Sequence, residues 1–366
     1  MPLSNFIKID NARPKAIICK CLARYPTHKH LFFIRLESQR TYCLHSKLHA
    51  FKLYMEVTMP GAFAHITAVN EASANNALMK LNIPQEAKKA LAQNKRYLEL
   101  GCVSPDYPYL ALMNSAQNKW ADKMHYNHVG KLIDALIQQV KAADNEHFEK
   151  TFSWLCGFVA HVATDITLHP VVELKVGPYA ENAQQHRICE MHQDAYIWPS
   201  RMQLGSIGLA DRVRENIGSC VDQSDNNLID PVIRTIWSSA LSATYPEYAK
   251  ECEPDVNVWH EGFQSIVDNA EESHRLFPWA RHVASKLGLT YPLPNEVDST
   301  YIQDLETPDG IKHYDEIFDK AIKTIQIFWE KLAATIYENQ DTGFFENWNL
   351  DTGRNENGQL SAWGNL

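Results

Sequence analysis

The sequence of 366 residues lacks any run of about 18 apolar residues, the length that a helix needs to cross a membrane. Its longest apolar stretches, such as Ala16–Cys19 and Trp154–Ala160, are far shorter, so we expect no transmembrane helix. The eight cysteines show no paired zinc-knuckle spacing, which excludes a cysteine zinc module and weakly favours a reducing compartment. Runs of alternating apolar and polar residues are also scarce, so we expect little β-structure.

The N-terminus lacks the pattern of a secretion signal. Its apolar run Ala16–Cys19 is bounded by Lys15 and Lys20, whereas a signal peptide needs an apolar region of about 7–15 residues. We therefore expect a cytoplasmic location by default, with secretion by another route as the alternative.

Positive charge is concentrated at the start of the chain. Residues 1–58 hold ten Lys and Arg against three Asp and Glu, a net charge of +7, whereas the other 308 residues carry −16 and the whole chain −9. The segment shows neither helical nor strand periodicity. This favours a disordered or non-native extension over a basic arm for nucleic acid or membrane. Met59 is a credible true start, because an orderly pattern begins there.

From His65 onward apolar residues recur at helical spacing, and 45% hydrophobic residues suffice for a packed core. We predict helices over His65–Leu81, Gln85–Leu98, His125–Ala143, Phe148–Leu168, Ala183–Trp198, Ile207–Ile217, Pro231–Leu241, Trp259–Leu276 and Tyr314–Ile336. Gly101 and Pro170 are expected to end two of these helices. The sequence therefore predicts a single all-α helical bundle over 59–340. An irregular tail, rich in Asn, Gly and Asp, is predicted over 341–366.

Three polar side chains lie along one stripe of the most apolar predicted helix. His161, Asp165 and His169 are spaced four residues apart, so they share a face. A lone histidine there would be an ordinary hydrogen-bonded core residue, but a buried carboxylate needs a strong partner. A metal ion is one such partner. Imidazole and carboxylate without thiolate suit Zn²⁺ in a catalytic site.

A second pair of the same kind follows on the next predicted helix. His186 and Glu190 are again four residues apart. Two helices that each carry such groups can hold metal ions between them in a bundle core. Either pair alone occurs by chance in many helices, but both within residues 161–190 indicate a metal site.

Further candidates precede these helices. His65 lies at the predicted start of the first helix, Asp106 lies in a turn after Gly101, and His125 lies at the predicted start of its own helix. His128, three residues after His125, is an alternative to it.

The ordered set of histidines and carboxylates resembles that of zinc-dependent phospholipase C. It is also similar to the sets of the S1/P1 nucleases and of the N-terminal domain of glycosylphosphatidylinositol-specific phospholipase D. The resemblance covers roughly 59–198 and rests on the order His, Asp, His, HxxxD, His, HxxxE. Gly61–His65 and Leu100–Tyr109 are similar to the family's segments around its early His and its metal-binding Asp. The family fold is a helical bundle that holds three zinc ions, which agrees with the helical prediction.

The resemblance implies ligands for two or three zinc ions. One zinc would be bound by Asp106, His125, His161 and Asp165. A second would be bound by His169, His186 and Glu190. A third would be bound by His65 and by Asp165, which would bridge it to the first.

The third site departs from the family pattern. Secreted relatives complete it with an N-terminal Trp, and this chain has no Trp before His65. A terminal amine at Pro60 would be a substitute if translation starts at Met59. Two residues that follow Glu190, His192 and Asp194, are candidates to orient the ligands.

The implied activity is that of a zinc-dependent phosphodiester hydrolase of phospholipase C type, in which a metal-activated water attacks the phosphorus of a phospholipid or related phosphodiester. Asp106 would act as the general base or orient this water. Glu190 favours the phospholipase branch, because the nuclease branch typically ends its set with HxxxD. The −16 charge disfavours nucleic acid as substrate. The alternatives are an S1/P1-like nuclease and a non-catalytic, metal-stabilised helical binding protein. An aromatic rim would permit peripheral contact with a membrane surface.

Overall fold

The computed structural model describes residues 61–111, 114–203, 207, 215–273, 291–340 and 343–364, with the backbone alone over 266–273. The predictions made for residues 1–58, for a start at Met59 and for an amine at Pro60 lie outside these ranges.

α-Helices make up most of the described chain, as predicted. They are α1 (Ala62–Ala72), α2 (Asn75–Leu78), α3 (Gln85–Gln93), α4 (Lys95–Val103), α5 (Ser115–Tyr126), α6 (Val129–Lys141), α7 (Asn145–Val176), α8 (Tyr179–Ile197), α9 (Pro231–Thr244), α10 (Pro246–Glu251), α11 (Val256–Ser273) and α12 (Tyr314–Tyr337). Short segments of 3₁₀ or π helix occur at Ser104–Leu110, Trp198–Met202, Ile217–Ser219, Pro294–Glu296, Ser299–Tyr301 and Ser361–Trp363. The all-α prediction is therefore confirmed.

A two-stranded antiparallel hairpin is the one sheet in the described residues. Its strands β1 (Leu305–Thr307) and β2 (Gly310–Lys312) pair with Leu305 opposite Lys312. Gly310 has φ +104°, a backbone conformation that favours glycine. Strands of three residues are too short to show an alternating pattern, so they could not be predicted from periodicity.

The 32-residue helix α7 runs through the centre of the bundle and packs most extensively against α4 and α12. By length and composition alone it is apolar enough to cross a membrane, but 94% of that apolar stretch is buried inside the protein. The apolar surface of α7 is therefore covered by the rest of the protein. The stripe of polar residues on α7 is consequently held in the core of the bundle.

Pro170 does not end α7, contrary to the prediction, and the helix continues to Val176. Proline lacks the N–H that would bond to the carbonyl of Ile166, and this loss usually breaks a helix. Here the backbone of Gly353 lies against that position. A Cβ added to Gly353 would lie 2.7 Å from the Ile166 carbonyl oxygen and 2.5 Å from Pro170 Cγ. Tertiary packing from a distant segment thus encloses the residue at which the local sequence predicts a helix end.

Gly101 lies inside α4 instead of closing a helix, because it is needed for helix packing. A Cβ on Gly101 would lie 2.0 Å from the Trp154 carbonyl oxygen, and a Cβ on Gly157 would lie 2.1 Å from the Leu98 carbonyl oxygen. The backbones of α4 and α7 therefore approach as closely as glycine alone permits. This contact brings the turn after α4, which carries Asp106, beside the polar stripe of α7.

Two other predicted boundaries are wrong. The helix predicted over Gln85–Leu98 is two helices that meet at Asn94, whose φ and ψ are −112° and 40°. His125 lies at the end of α5, not at the start of the next helix. Asn127 and His128 separate α5 from α6, the first with an extended backbone and the second with a left-handed backbone of φ 57°. Apolar periodicity indicates the helix α6 but does not show where it begins.

Candidate metal centre

Two residues of α7 and two from neighbouring elements form a group that we call the inner cluster: His161 and Asp165 with Asp106 and His125. The Nε2 atoms of His125 and His161 are 3.4 Å apart. Asp106 Oδ1 lies 3.2 Å from His125 Nε2, and Asp165 Oδ2 lies 2.9 Å from His161 Nε2. Ligand atoms of Asp106, His125 and His161 all lie within 4.8 Å of one another. Four residues from three different elements thus direct their polar atoms to one point.

Backbone carbonyls fix the two inner rings. His161 Nδ1 lies 2.9 Å from the carbonyl oxygen of Cys102, and His125 Nδ1 lies 2.8 Å from that of Ala121. Because a carbonyl only accepts hydrogen bonds, each Nδ1 carries the proton and each Nε2 of the neutral ring presents a lone pair. The inner cluster is therefore built entirely from acceptors, and it needs a proton or a metal ion at its centre.

We call the second group, His169, His186 and Glu190, the outer cluster. Glu190 Oε1 lies 3.1 Å from His169 Nε2 and 3.2 Å from His186 Nδ1. His169 Nδ1 lies 2.9 Å from the carbonyl oxygen of Leu350, which fixes this ring as the inner rings are fixed. One carboxylate oxygen thus faces two imidazoles across the gap between α7 and α8.

Asp165 connects the two clusters. Its Oδ2 faces His161 at 2.9 Å and His125 at 3.9 Å, whereas its Oδ1 faces His65 Nε2 at 3.1 Å and His169 Nε2 at 3.5 Å. The His65 ring also stacks on His161, with ring centroids 4.0 Å apart. A single carboxylate therefore contacts four histidines, which is the arrangement of a bridging ligand.

Asp194, one turn after Glu190 on α8, holds the start of α1. Its carboxylate accepts hydrogen bonds from the backbone N–H groups of Gly61 (3.0 Å) and Ala64 (2.7 Å) and from the hydroxyl of Tyr291 (3.0 Å). Burial raises the pKa of this carboxyl group to about 7 despite these bonds. Asp194 thereby fixes the start of the helix that carries His65.

Three buried atoms of the site lack a hydrogen-bond partner among the described residues: His65 Nδ1, Asp165 Oδ2 and His186 Nε2. An unsatisfied buried polar atom costs about 1–3 kcal/mol. The 2.9 Å approach of His161 Nε2 to Asp165 Oδ2 does not have hydrogen-bond geometry, as expected of two lone pairs that share one target. A cation at that target would satisfy Asp165 Oδ2 and the facing lone pair of His161, so these residues fit a bound metal.

Electrostatics in the inner cluster also indicate a bound cation. Burial alone would raise the pKa of Asp106, but His161 and His125 outweigh it and lower the pKa below its usual value. The pKa of Asp165 is lowered well below its usual value for the same reason, chiefly by His161 against burial. Burial would lower the pKa of His125, yet its bond to Asp106 and the nearby carboxylates raise it to about 9. The carboxylates that favour a proton on His125 would equally favour a metal cation at this position.

The outer cluster shows the same balance. Burial would lower the pKa of His169, but Asp165, Glu190 and Asp351 raise it to about 10. Burial would raise the pKa of Glu190, and the two facing histidines instead lower it far below its usual value.

Exposure identifies the open side of the site. The side chains of His161 and Asp165 are 1% and 2% exposed, whereas those of Asp106, His169 and Glu190 are 14%, 16% and 11% exposed. A substrate would therefore approach over these last three residues. A cavity of about 10 Å³, enough for one water-sized particle, lies between His65, Asp165, His169 and Glu190.

Two other sequence candidates lie elsewhere. The exposed His128 stacks its ring on Tyr245, with centroids 6.5 Å apart, so His125 is the member of this pair at the site. His192 Nδ1 accepts a hydrogen bond from the backbone N–H of Asp298, and the His192 ring lies 5.1 Å from that of Tyr301, outside both clusters.

The contribution of the C-terminal residues is absent from the sequence prediction. The Leu350 carbonyl bonds to His169, and the Asp351 carboxylate is one of the groups that raise the pKa of the His169 ring. A backbone carbonyl leaves no trace in residue type. Asp351 has no partner at helical spacing, so neither could be found by pattern.

Comparison with known families agrees with this geometry. The model of the family described as zinc-dependent phospholipase C matches residues 64–247, which is half of the chain. No curated protein and no solved structure gives a significant match. The family is one of hydrolases that act on phospholipids, and its fold is all-α. The matched residues include all eight site residues from His65 to Glu190, and the chain belongs to the zinc-dependent phospholipase C family.

Proposed function

We propose that this protein is a zinc-dependent hydrolase of phospholipase C type, which cleaves the phosphodiester of a phospholipid and releases a phosphorylated headgroup. One observation carries the proposal. The Nε2 lone pairs of His125 and His161 face each other at 3.4 Å, while both Nδ1 atoms are committed to backbone carbonyls. Such a set of acceptors is stable with a cation among them, and imidazole and carboxylate suit zinc.

Two or three zinc ions fit the residues present. The inner cluster would hold one ion, the outer cluster a second, and His65 with the Oδ1 atom of Asp165 a third. When bound, zinc ions lower the pKa of a coordinated water and stabilise the charge that develops on the phosphoryl oxygens.

We assign Asp106 a second task at the reacting centre. Its lowered pKa keeps the carboxyl group ionised at neutral pH, and the side chain is 14% exposed on the open side. It can therefore accept a hydrogen bond from the attacking water, orient it and take its proton. Asp165 is too deeply buried to reach a substrate and serves as the bridge.

Two exposed apolar side chains lie where α7 ends and α8 begins. Leu174 at the end of α7 and Tyr179 at the start of α8 are 48% and 42% exposed, and the Tyr179 ring lies 5.1 Å from that of His186. We propose that this edge contacts the membrane surface peripherally, so that a headgroup phosphate can enter over the outer cluster.

The test combines metal analysis with two substrates. The purified full chain is assayed for release of a phosphorylated headgroup from mixed phospholipid vesicles and for cleavage of single-stranded DNA. We expect two or three zinc ions per chain, with lipid hydrolysis that is lost on chelation and restored by zinc. Cleavage of DNA alone would instead assign an S1/P1-like nuclease. A zinc-loaded protein inactive on both would be a metal-stabilised binding protein.

A further inference from the structure

Residues 343–364, which we call the C-terminal segment, lie outside the part of the chain that matches the family, yet they contact both clusters. Leu350 accepts a hydrogen bond from the His169 ring through its carbonyl oxygen at 2.9 Å. The N–H of the same residue donates to the carbonyl oxygen of His125 at 2.9 Å. One buried residue of the segment thus bonds to a candidate ligand of each cluster.

The segment is fastened to α7 at two further points, both after Leu350 in the chain. Gly353 packs against Ile166 and Pro170 so closely that a Cβ would lie 2.7 Å and 2.5 Å from them. Trp363 donates its indole N–H to the carbonyl oxygen of Thr167 at 3.1 Å. These attachments lie on the helical turn that carries Asp165 and His169, so the position of Leu350 follows that of α7.

These contacts indicate a role for the C-terminal segment at the zinc site, and this inference rests on the proposed function. We propose that it is a positioning element of the outer cluster, in which the Leu350 carbonyl holds His169 with its proton on Nδ1 and its Nε2 directed at the metal. Partners of this kind typically change metal affinity by 10–100-fold when they are lost. Without the carbonyl, the His169 ring would be free to rotate or to protonate Nε2.

Two glycines of the segment supply a matched pair of variants. Gly353 and Gly358 both have positive φ, +66° and +74°, so Ala strains the backbone similarly at each. A Cβ added to Gly353 would clash with α7, whereas a Cβ added to Gly358 would have no atom within 4 Å. We expect G353A to weaken zinc binding at the outer cluster at least about 10-fold, and G358A to leave it unchanged. Zinc affinity of the full chain is measured by competition with a chromophoric chelator.

A double-variant cycle separates positioning from general damage. His186→Ala removes a ligand of the outer cluster, so G353A should cause no further loss of zinc affinity in the H186A background. An equal loss in both backgrounds would overturn the proposal, because the variant would then act on the fold as a whole. Equal zinc affinities of G353A and G358A would overturn it as well.

A second pair covers the case in which G353A does not fold. Trp363→Phe removes the bond to α7, whereas Trp348→Phe removes a bond to Ser361 within the segment itself. We expect W363F alone to weaken the outer zinc site, and an equal effect of W348F would contradict the proposal. The two proposals fail differently. A wild-type chain that binds no zinc contradicts the proposed function, whereas a zinc-loaded wild type with insensitive variants contradicts the positioning role alone.

Discussion

The inner and outer clusters are made from the same residue types but are supported differently. The inner rings bond to the carbonyls of Cys102 and Ala121, which lie in the bundle and within the matched family region. The outer ring of His169 bonds to Leu350, 181 residues away along the chain and beyond that region. His161 is 1% exposed and His169 is 16% exposed. The inner site is thus a product of helix packing, whereas the outer site is completed by an added segment.

This difference indicates which of the two clusters can change without disturbing the packing of the helices. The inner cluster depends on the contact of Gly101 with Gly157 at the centre of the fold, so changes there disturb the whole bundle. The outer cluster can be adjusted through the C-terminal segment, which lies outside the matched family region. We therefore expect the inner site to bind zinc more tightly and the outer site to govern how the substrate is positioned.

Substitution of Asp165 should have the largest effect, because this residue joins the clusters. Asp165→Asn replaces an anionic bridge by a neutral amide while keeping its shape. We expect activity on phospholipid vesicles to fall by about 10³-fold and zinc content to fall with it, since ligands act as a unit. Zinc content and hydrolysis are measured on the same preparation. Loss of activity with full zinc content would mean that Asp165 is not a bridging ligand.

Substitution of His125 tests the inner cluster alone, and His128 provides its control. His125→Ala should lower activity by at least about 10²-fold and weaken the tightest zinc site. His128→Asn should have wild-type activity, because this residue is exposed and Asn tolerates its left-handed backbone. Initial rates of lipid hydrolysis at saturating zinc provide the comparison. If H128N were the more damaging variant, the assignment of the inner ligands would be wrong.

Gly157→Ala tests the claim that helix packing supports the inner cluster. The added Cβ would lie 2.1 Å from the Leu98 carbonyl oxygen and force α4 away from α7. We expect the free energy of unfolding to fall by about 1–3 kcal/mol, as for overpacked cores, with weaker binding at the tighter zinc site. Urea unfolding of G157A is compared with that of G358A. Similar stabilities would contradict the packing argument.

The pH dependence of stability should differ between metal-free and zinc-loaded protein. The pKa values of about 9 for His125 and about 10 for His169 exceed the ordinary value of 6.5. The folded metal-free protein therefore binds more protons than the unfolded chain above pH 6.5, and it loses stability as pH rises from about 7 to 9. Zinc competes with those protons, so its stabilising effect should grow over the same range.

This pH dependence is the smallest of the expected effects. It is measured by thermal unfolding at pH 7, 8 and 9, with chelator or with zinc. A melting temperature of the metal-free protein that rises with pH would show that the histidines are not held as protonated partners of the carboxylates.

The sequence predicted the helical architecture because apolar spacing reports which face of each helix is buried. It also placed His161, Asp165 and His169 together, since a four-residue spacing on one helix fixes a common face. It failed at Pro170 and Gly101, where the local rule for a helix end is outweighed by contacts with distant residues. The same limit applies to the carbonyl partners of the rings. Their positions follow from the tertiary fold, and any residue type supplies the same atom.

The zinc content of the purified full chain tests the central claim most directly. With the inner and outer clusters occupied, elemental analysis should find two zinc ions per chain, or three if His65 and Asp165 hold another. The Asp165→Asn variant should retain less than one. A folded wild-type protein with less than one zinc ion per chain, after growth and purification with zinc present, would contradict the assignment of these eight residues as a metal centre.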